Sequence, residues 1–230
     1  MGVISSNSLH GVLFDLDGTL IDTAPDFIYC LNLLRQKYGL APLADDDVRK
    51  VVSDGARAMI SLAFNIQEGD DGFETKRQEF LSLYETHIAV ESRLFSGLGT
   101  LLTDLERANI PWGIVTNKPR KYSVLLLDAL GLLPRMSSLV CADDVTHPKP
   151  NSEPMLKACE EMKLEPSNVV YVGDHKRDIE AGQNTNMPTI AAAYGYVHED
   201  DEAQTWNADW IANSGEELSE QLKSLLLPSR

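Results

Sequence analysis

The chain has 230 residues, with 20 Lys plus Arg against 35 Asp plus Glu and a formal net charge of −15. Hydrophobic residues at 43% and charged residues at 24% are typical of a folded globular protein and exclude a wholly disordered chain. The acidic balance disfavours nucleic acid or an anionic membrane as the main partner, because both require a basic face.

Cysteine usage and hydropathy indicate the cellular compartment. Cys30, Cys141 and Cys159 lie far apart without CxxC spacing, which predicts reduced thiols in the core and no zinc site. No apolar stretch reaches membrane length, and the first residues lack the pattern of a signal peptide. We therefore expect a cytoplasmic protein without a membrane partner.

The first predicted element is a short buried strand, Gly11 to Leu16, which a turn signal follows. Four later apolar runs are of the same kind: Trp112 to Thr116, Ser138 to Cys141, Val169 to Gly173 and Thr189 to Ala192. Segments with helical spacing alternate with them: Leu98 to Arg107, Tyr122 to Leu130, Pro154 to Met162 and Arg177 to Asn184. This alternation predicts an α/β fold, a doubly wound parallel sheet with helices on both faces.

The stretch after the first strand differs, because it contains no buried-strand run. Four amphipathic helices are predicted there: Ala24 to Tyr38, Asp45 to Ser53, Ala56 to Phe64 and Glu74 to Ile88. We therefore expect a small α-helical domain at residues 21–95, inserted into a core made of residues 1–20 and 96–230.

The strongest motif is Asp15-Leu16-Asp17 at the carboxyl end of the first strand, where open α/β sheets bind ligands. Gly18 lets the chain turn away without closing over the site. One aspartate can act as a nucleophile or a metal ligand, and the other can move a proton. A capping pair at a strand-to-helix turn is the alternative interpretation of this motif alone.

Later strand ends carry the remaining polar groups. Thr116 and Asn117 offer a hydroxyl and backbone amides for an anionic oxygen, although Thr116 alone also fits a helix N-cap. Lys149, between two prolines, is suited to bind a phosphate, and Asp174 and Asp178 follow another buried strand. Oxygen ligands select a hard ion such as Mg²⁺, so the set predicts a phosphoryl-transfer site.

The ordered motifs resemble those of the haloacid dehalogenase superfamily from Gly11 to about Ala193. The resemblance implies that Asp15 forms an aspartyl-phosphate and that Asp17 transfers the proton, while the threonine and lysine hold the phosphoryl group. It also implies that Asp15, Asp17 through its backbone carbonyl, and Asp174 bind Mg²⁺, with Asp178 in support. The helical insert resembles the mobile cap of that superfamily.

Finer resemblances concern the substrate, a small phosphorylated metabolite. The segment Asp22 to Asp26 is similar to phosphoglycolate phosphatases, whereas Ser53 to Met59 and Leu94 to Gly97 are similar to N-acetylmuramic acid 6-phosphate phosphatases. Both resemblances leave 2-phosphoglycolate and the amino-sugar phosphate open as substrates. Arg57, beside a glycine turn in the insert, is a candidate for binding a substrate carboxylate, or else a solvated arginine.

Alternative functions differ in how well they fit the motifs. The second acid, Asp17, disfavours carbon–halogen hydrolysis, whereas a sugar phosphomutase remains open because its motifs are nearly the same. A catalytically inactive phosphate-binding module is disfavoured because every reactive position is filled, and a signalling receiver would lack the helical insert. His175 is expected to be a loop residue, with contact to the metal site as the alternative, and monomer and homodimer both remain open.

Overall fold

A computed structural model describes residues 9–197 and 202–227 of the chain. Its main sheet has six strands in the order β5-β4-β1-β6-β7-β8, and all neighbouring pairs are parallel. The strands of this sheet are β1 (Gly11–Phe14), β4 (Trp112–Val115), β5 (Ser138–Val140), β6 (Val169–Gly173), β7 (Thr189–Ala192) and β8 (Trp210–Ala212). A second, antiparallel pair is formed by β2 (Ile21–Asp22) and β3 (Arg93–Leu94).

Helices cover both faces of the main sheet, and the alternation of side chains along β1 shows why. Val12 and Phe14 belong to one apolar cluster, together with leucines of α5, α6 and α9, whereas Leu13 belongs to a second cluster with α7 and α8. These helices are α5 (Leu98–Arg107), α6 (Arg120–Ala129), α7 (Glu153–Met162), α8 (Lys176–Gln183) and α9 (Gly215–Leu226). A strand buried on both faces has a continuous apolar sequence, so the predicted fold class is confirmed.

Four helices lie between β2 and β3 and form a third apolar cluster with its own aromatic residues. Phe27, Phe80 and Tyr84 are fully or nearly buried in it, and the Phe27 and Tyr84 rings stack at 4.2 Å. The helices are α1 (Ala24–Lys37), α2 (Asp45–Arg49), α3 (Gly55–Phe64) and α4 (Phe73–His87). We call α1–α4 the helical insert; the division of the chain into two domains stays a prediction, and its outer limits, residues 1–8 and 228–230, lie outside the described residues.

Several details differ from the sequence expectations. The predicted helix from Asp45 ends at Arg49, and a 3₁₀ turn at Val52–Asp54 follows it. The sequence patterns indicated neither β2 and β3, which have two residues each, nor the half-exposed edge strand β8 and the helix α9 behind it. Cys30, Cys141 and Cys159 are buried free thiols, as expected. Among the described residues, no helix has both the length and the apolar character needed to cross a membrane.

Candidate active site

The predicted site residues converge at the carboxyl edge of the main sheet. Asp15 and Thr116 directly follow β1 and β4, and their backbone N–H groups continue the sheet with hydrogen bonds of 2.8 and 2.9 Å to neighbouring strands. Asp174 directly follows β6, and Asp178 lies in the first turn of α8. The ends of parallel strands meet at one edge, so residues far apart in sequence come together there.

Asp15, Asp174 and Asp178 form an acidic cluster in which ligand oxygens of all three carboxylates lie within 4.8 Å of one another. All three side chains are buried, and Asp174 accepts hydrogen bonds from the Thr19 hydroxyl at 2.9 Å and from the Tyr196 N–H at 2.8 Å. Burial, together with the neighbouring Asp15 and Asp178 carboxylates, raises the pKa of Asp174 to about 8. Burial also raises the pKa of Asp178.

Lys149 is the basic residue inside this cluster. Its Nζ lies 2.9 Å from Asp15 Oδ1 and 2.7 Å from Asp178 Oδ1, and it also donates to the Val115 carbonyl and the Tyr171 hydroxyl. Burial alone would lower the pKa of Lys149, but the two carboxylates outweigh it and raise that pKa. The lysine is therefore charged, and it holds the Asp15 and Asp178 side chains in one orientation.

Asn117 anchors the loop that carries this lysine. Its side-chain amide donates to the Lys149 carbonyl at 3.0 Å and accepts from the Lys149 N–H at 3.1 Å. The structure thus uses the Asn117 side chain to position Lys149. The Thr116 Oγ1 accepts the Lys118 N–H at 3.2 Å, as a residue that starts a turn does. A phosphate contact of Thr116 and Asn117 stays a prediction.

Asp17 points away from the acidic cluster, toward the helical insert. Its Oδ1 accepts hydrogen bonds from the Thr23 hydroxyl at 2.7 Å and from Lys118 Nζ at 2.9 Å. The same ammonium donates to the Tyr84 hydroxyl at 3.0 Å and lies 4.6 Å from the Phe27 ring centroid. Lys118 was missed from the sequence, although it directly follows the Thr116-Asn117 motif.

Two glycines let the site segments pack closely. Gly18 has a φ of +80°, and a Cβ there would collide with the Asp174 carboxylate. A Cβ on Gly173 would collide with the Asp178 side chain. Both positions need glycine because backbone and carboxylate approach each other more closely than a side chain allows.

Tyr196 joins the acidic cluster to the start of the helical insert. Its backbone N–H binds Asp174, while its hydroxyl accepts from the Thr23 and Ala24 N–H groups at 2.7 and 2.8 Å and donates to Asp22 at 2.7 Å. These contacts satisfy backbone N–H groups at the start of α1, where the helix itself provides no acceptor for them. The sequence did not single out Tyr196 as a site residue.

A cavity of about 590 Å³ lies between the core loops and the helical insert, with Asp15 and Asp17 in its wall. Four basic side chains also line it: Arg57, Arg77, Lys118 and Arg177. Its other lining residues are Phe27, Val52, Ser53, Asp54, Gly55, Ala56, Met59, Leu81, Tyr84, Thr116, Asn117, Pro119 and Tyr122. The cavity is therefore large, partly aromatic and rich in cations, which suits an anionic organic ligand.

Two less certain residues from the sequence are placed as follows. The Arg57 side chain lines the cavity but is 65% exposed, and its Nε lies 3.1 Å from Glu68. His175 is the N-cap of α8, where its Nδ1 accepts the Arg177 N–H at 3.2 Å. A histidine that starts a helix in this way agrees with the loop position expected for it.

The acidic cluster fits a hard divalent cation. Three buried carboxylates face one another across less than 5 Å with one lysine among them, and the raised pKa of Asp174 reflects its burial together with this excess of negative charge. Carboxylate oxygens are the ligands that Mg²⁺ and similar ions prefer. Asp178 contacts the Lys149 ammonium with one oxygen and the His175 N–H with the other, whereas the two Asp174 oxygens accept hydrogen bonds from uncharged donors, the Thr19 hydroxyl and the Tyr196 N–H.

Comparisons with known proteins agree with this geometry. Residues 12–192 match the family model of haloacid dehalogenase-like hydrolases. An N-acetylmuramic acid 6-phosphate phosphatase of Pseudomonas putida is 44% identical over 95% of this chain and 98% of its own length. A phosphoglycolate phosphatase of Xanthomonas campestris is 39% identical over 92% of this chain and 95% of its own. The crystal structure of a predicted phosphoglycolate phosphatase from Haemophilus somnus is 24% identical, with a TM-score of 0.82 over 94% of this chain and 98% of that one.

Proposed function

The chain belongs to the haloacid dehalogenase-like hydrolase family and is a phosphatase of that family, and from this premise we propose that it hydrolyses N-acetylmuramic acid 6-phosphate with the help of Mg²⁺. The observation that carries the proposal is the position of Asp15 and Asp17 in the wall of one large cavity that four basic side chains also line. The relatives with 44% identity bear the name of that activity, and their resemblance spans nearly the whole chain.

Asp15 is the nucleophile of the proposed reaction. One of its carboxylate oxygens attacks phosphorus, the bond between phosphorus and the sugar oxygen breaks, and Asp17 gives that oxygen a proton. A water molecule then attacks the aspartyl-phosphate and gives its proton to Asp17, which releases inorganic phosphate and restores Asp15. Lys149 supports this role because its contact at 2.9 Å fixes the Asp15 carboxylate.

Asp15, Asp174 and the backbone carbonyl of Asp17 would hold the Mg²⁺ ion. When bound, the ion neutralises negative charge on the phosphoryl group and on the carboxylates around it. Asp178 contributes by fixing Lys149 through the contact at 2.7 Å. Thr116 and Lys149 bind the phosphoryl oxygens in this proposal, and Asn117 keeps the Lys149 loop in place.

Cavity size favours the amino-sugar phosphate over 2-phosphoglycolate. A volume of about 590 Å³ lies within the roughly 300–1,000 Å³ of pockets that enclose drug-sized ligands. A hexose with N-acetyl and lactyl groups fits that description, whereas a phosphorylated two-carbon acid would leave most of the space to water. The second candidate substrate is 2-phosphoglycolate, because relatives named phosphoglycolate phosphatase are 38–39% identical to this chain.

A phosphomutase is the remaining alternative within the family. The structural likeness to a β-phosphoglucomutase of Thermotoga maritima, with a TM-score of 0.78 at 23% identity, shows a common fold alone. The relatives above 30% identity that are named here are phosphatases, and we propose hydrolysis. Phosphate that reappears on the sugar, with none released to water, would contradict this.

The deciding experiment compares kcat/KM for N-acetylmuramic acid 6-phosphate, 2-phosphoglycolate and p-nitrophenyl phosphate on one preparation with Mg²⁺. We expect the amino-sugar phosphate to be preferred at least tenfold over the other two. Asp15→Asn should abolish release of phosphate while the thermal melt stays cooperative, because the change removes the nucleophile and keeps the shape of the side chain. A folded Asp15→Asn protein with substantial activity would contradict the covalent mechanism, and a preference for 2-phosphoglycolate would replace the substrate.

A further inference from the structure

Arg177 connects the core with the helical insert across the cavity. It lies in the first turn of α8, one residue before Asp178, and its guanidinium donates to the Ser53 carbonyl at 2.6 Å. Ser53 belongs to the 3₁₀ turn that leads into α3. These two residues, 124 positions apart, form one wall of the cavity.

Two buried polar atoms of this wall have no hydrogen-bond partner among the described residues. They are Arg177 Nε and Ser53 Oγ, and both residues line the cavity. Nearly all buried polar groups in proteins are hydrogen-bonded, and an unmet donor of a charged group is especially unfavourable. Two such atoms beside the same cavity therefore indicate that a ligand atom completes them.

The other cations of the cavity already contact carboxylates of the protein. Arg57 pairs with Glu68, Arg77 makes two hydrogen bonds to Glu74 at 2.8 and 2.6 Å, and Lys118 binds Asp17. Arg177 differs because it presents a buried N–H that has no acceptor within the part of the chain that the structure describes.

The ligand group that fits is an anionic oxygen away from the transferring phosphoryl. The Asp15 carboxylate is surrounded by core residues, whereas Ser53 belongs to the segment of the helical insert and so faces the rest of the substrate. Arginine Nε–H and a serine hydroxyl both donate, and a carboxylate accepts two such bonds at once. Both candidate substrates carry a carboxylate in addition to their phosphate.

We propose that Arg177 and Ser53 together bind the carboxylate of the substrate and so determine specificity for carboxylated phosphomonoesters. The proposal rests on the proposed function and refines it, because it assigns the carboxylate to Arg177 in place of the exposed Arg57. The proposal also gives the contact between the core and the helical insert a role in substrate binding. The Arg177 guanidinium would bind the Ser53 carbonyl and the substrate carboxylate at the same time.

The test uses a matched pair of substrates, N-acetylmuramic acid 6-phosphate and N-acetylglucosamine 6-phosphate, which differ by the lactyl group that carries the carboxylate. Arg177→Lys and Arg177→Met should lower kcat/KM for the carboxylated substrate by about 10- to 100-fold, mainly through KM, as expected for one charged hydrogen bond. The loss on the substrate without the carboxylate should be at least tenfold smaller. Ser53→Ala should change the same ratio in the same direction by a smaller factor.

Controls separate this role from a structural one. Arg107→Met removes an arginine that is 77% exposed on α5, and the ratio between the two substrates should stay at the wild-type value. Thermal melts of the Arg177 variants check folding, and Ser53→Ala tests the same subsite without changing a charge. Equal losses on both substrates, or a larger effect of Arg57→Met than of Arg177→Met on the ratio, would overturn the proposal.

The wild-type protein tests the proposed function separately. If it turns over N-acetylmuramic acid 6-phosphate no faster than p-nitrophenyl phosphate, that substrate is wrong. The inference is then tested with 2-phosphoglycolate against ethyl phosphate, a pair that also differs by a carboxylate. A ratio that does not fall in the Arg177 variants for either pair contradicts the inference, whichever substrate the wild type prefers.

Discussion

The acidic cluster makes the metal-free protein less stable as pH rises. An aspartate in an ordinary ion pair has the opposite effect, because folding lowers its pKa. Asp174 has a pKa of about 8 in the folded protein against a normal value of 3.8, because it is buried beside Asp15 and Asp178. An acid whose pKa is raised by folding stabilises the fold fully below its unfolded pKa. That contribution is lost as pH rises through the window from 3.8 to about 8.

The expected size follows from proton linkage. Within the window, one such group lowers the free energy of unfolding by about 1.4 kcal/mol for each pH unit. Between pH 6 and pH 8 the metal-free protein should therefore lose about 2 kcal/mol, or roughly 5 °C in Tm for a domain of this size. The proposed Mg²⁺ ion would bind the ionised cluster, so we expect its stabilising effect to be larger at pH 8 than at pH 6.

Urea unfolding and thermal melts at pH 6, 7 and 8, with EDTA or with Mg²⁺, measure this effect. Asp174→Asn is the matched control, because asparagine keeps the size of the side chain and a carbonyl oxygen that accepts the Tyr196 N–H, but it does not titrate. Both proteins share every other titratable group, so the difference between the two slopes reports the loss of the Asp174 carboxylate and of its coupling to Asp15 and Asp178.

Two results would refute this reasoning. One is a metal-free wild type whose stability stays level or rises between pH 6 and pH 8 relative to Asp174→Asn. The other is an Mg²⁺ stabilisation that is the same at both pH values. The first would mean that water or a local rearrangement relieves the charge of the cluster, and the second would mean that the ion binds elsewhere.

Three further substitutions test single contacts of the site. Asp17→Asn should lower kcat by about 10²- to 10⁴-fold, the usual contribution of a general acid and base, and steady-state kinetics at saturating substrate measure it; an unaffected kcat would remove that role. Lys118→Met should lower kcat about tenfold, because Asp17 keeps its hydrogen bond to Thr23 and loses the one to the ammonium; an unchanged kcat in a folded variant would contradict this. Tyr196→Phe leaves two N–H groups at the start of α1 and one Asp22 oxygen without the hydroxyl, so urea unfolding should show a loss of about 1–3 kcal/mol; a loss below 0.5 kcal/mol would mean that water replaces it.

The core of the site could be predicted from the sequence because its geometry follows from local patterns. Each buried apolar run predicts a strand, and the carboxyl ends of parallel strands must meet at one edge of the sheet. Asp15, Thr116 and Asp174 directly follow such runs, so their convergence needed no knowledge of distant contacts. The same rule does not apply to the helical insert, because no strand fixes the direction of a side chain there.

Residues whose role depends on a distant partner were missed. Lys118 and Asp17 are 101 positions apart, and the Tyr196 hydroxyl and Asp22 are 174 apart. The local spacing of residues around the members of these pairs does not indicate such distant contacts. The arginines show the same limit: a glycine turn favoured Arg57 as the substrate ligand, whereas burial, which the sequence does not show, favours Arg177.

The net charge of −15 and an anionic substrate are compatible because charge acts over short distances here. At physiological ionic strength, exposed charges are screened beyond about 8 Å, so most acids on the surface contribute little inside the cavity. Within the cavity, Arg57, Arg77 and Lys118 each face a carboxylate of the protein, and these pairs leave little net field to draw the substrate inward. Attraction would then come from direct contacts with the metal ion proposed at the acidic cluster and with Arg177, whose Nε–H has no acceptor among the described residues. The phosphate would bind at the first and the carboxylate at the second, and a substrate with one anionic group would make only one of these two contacts.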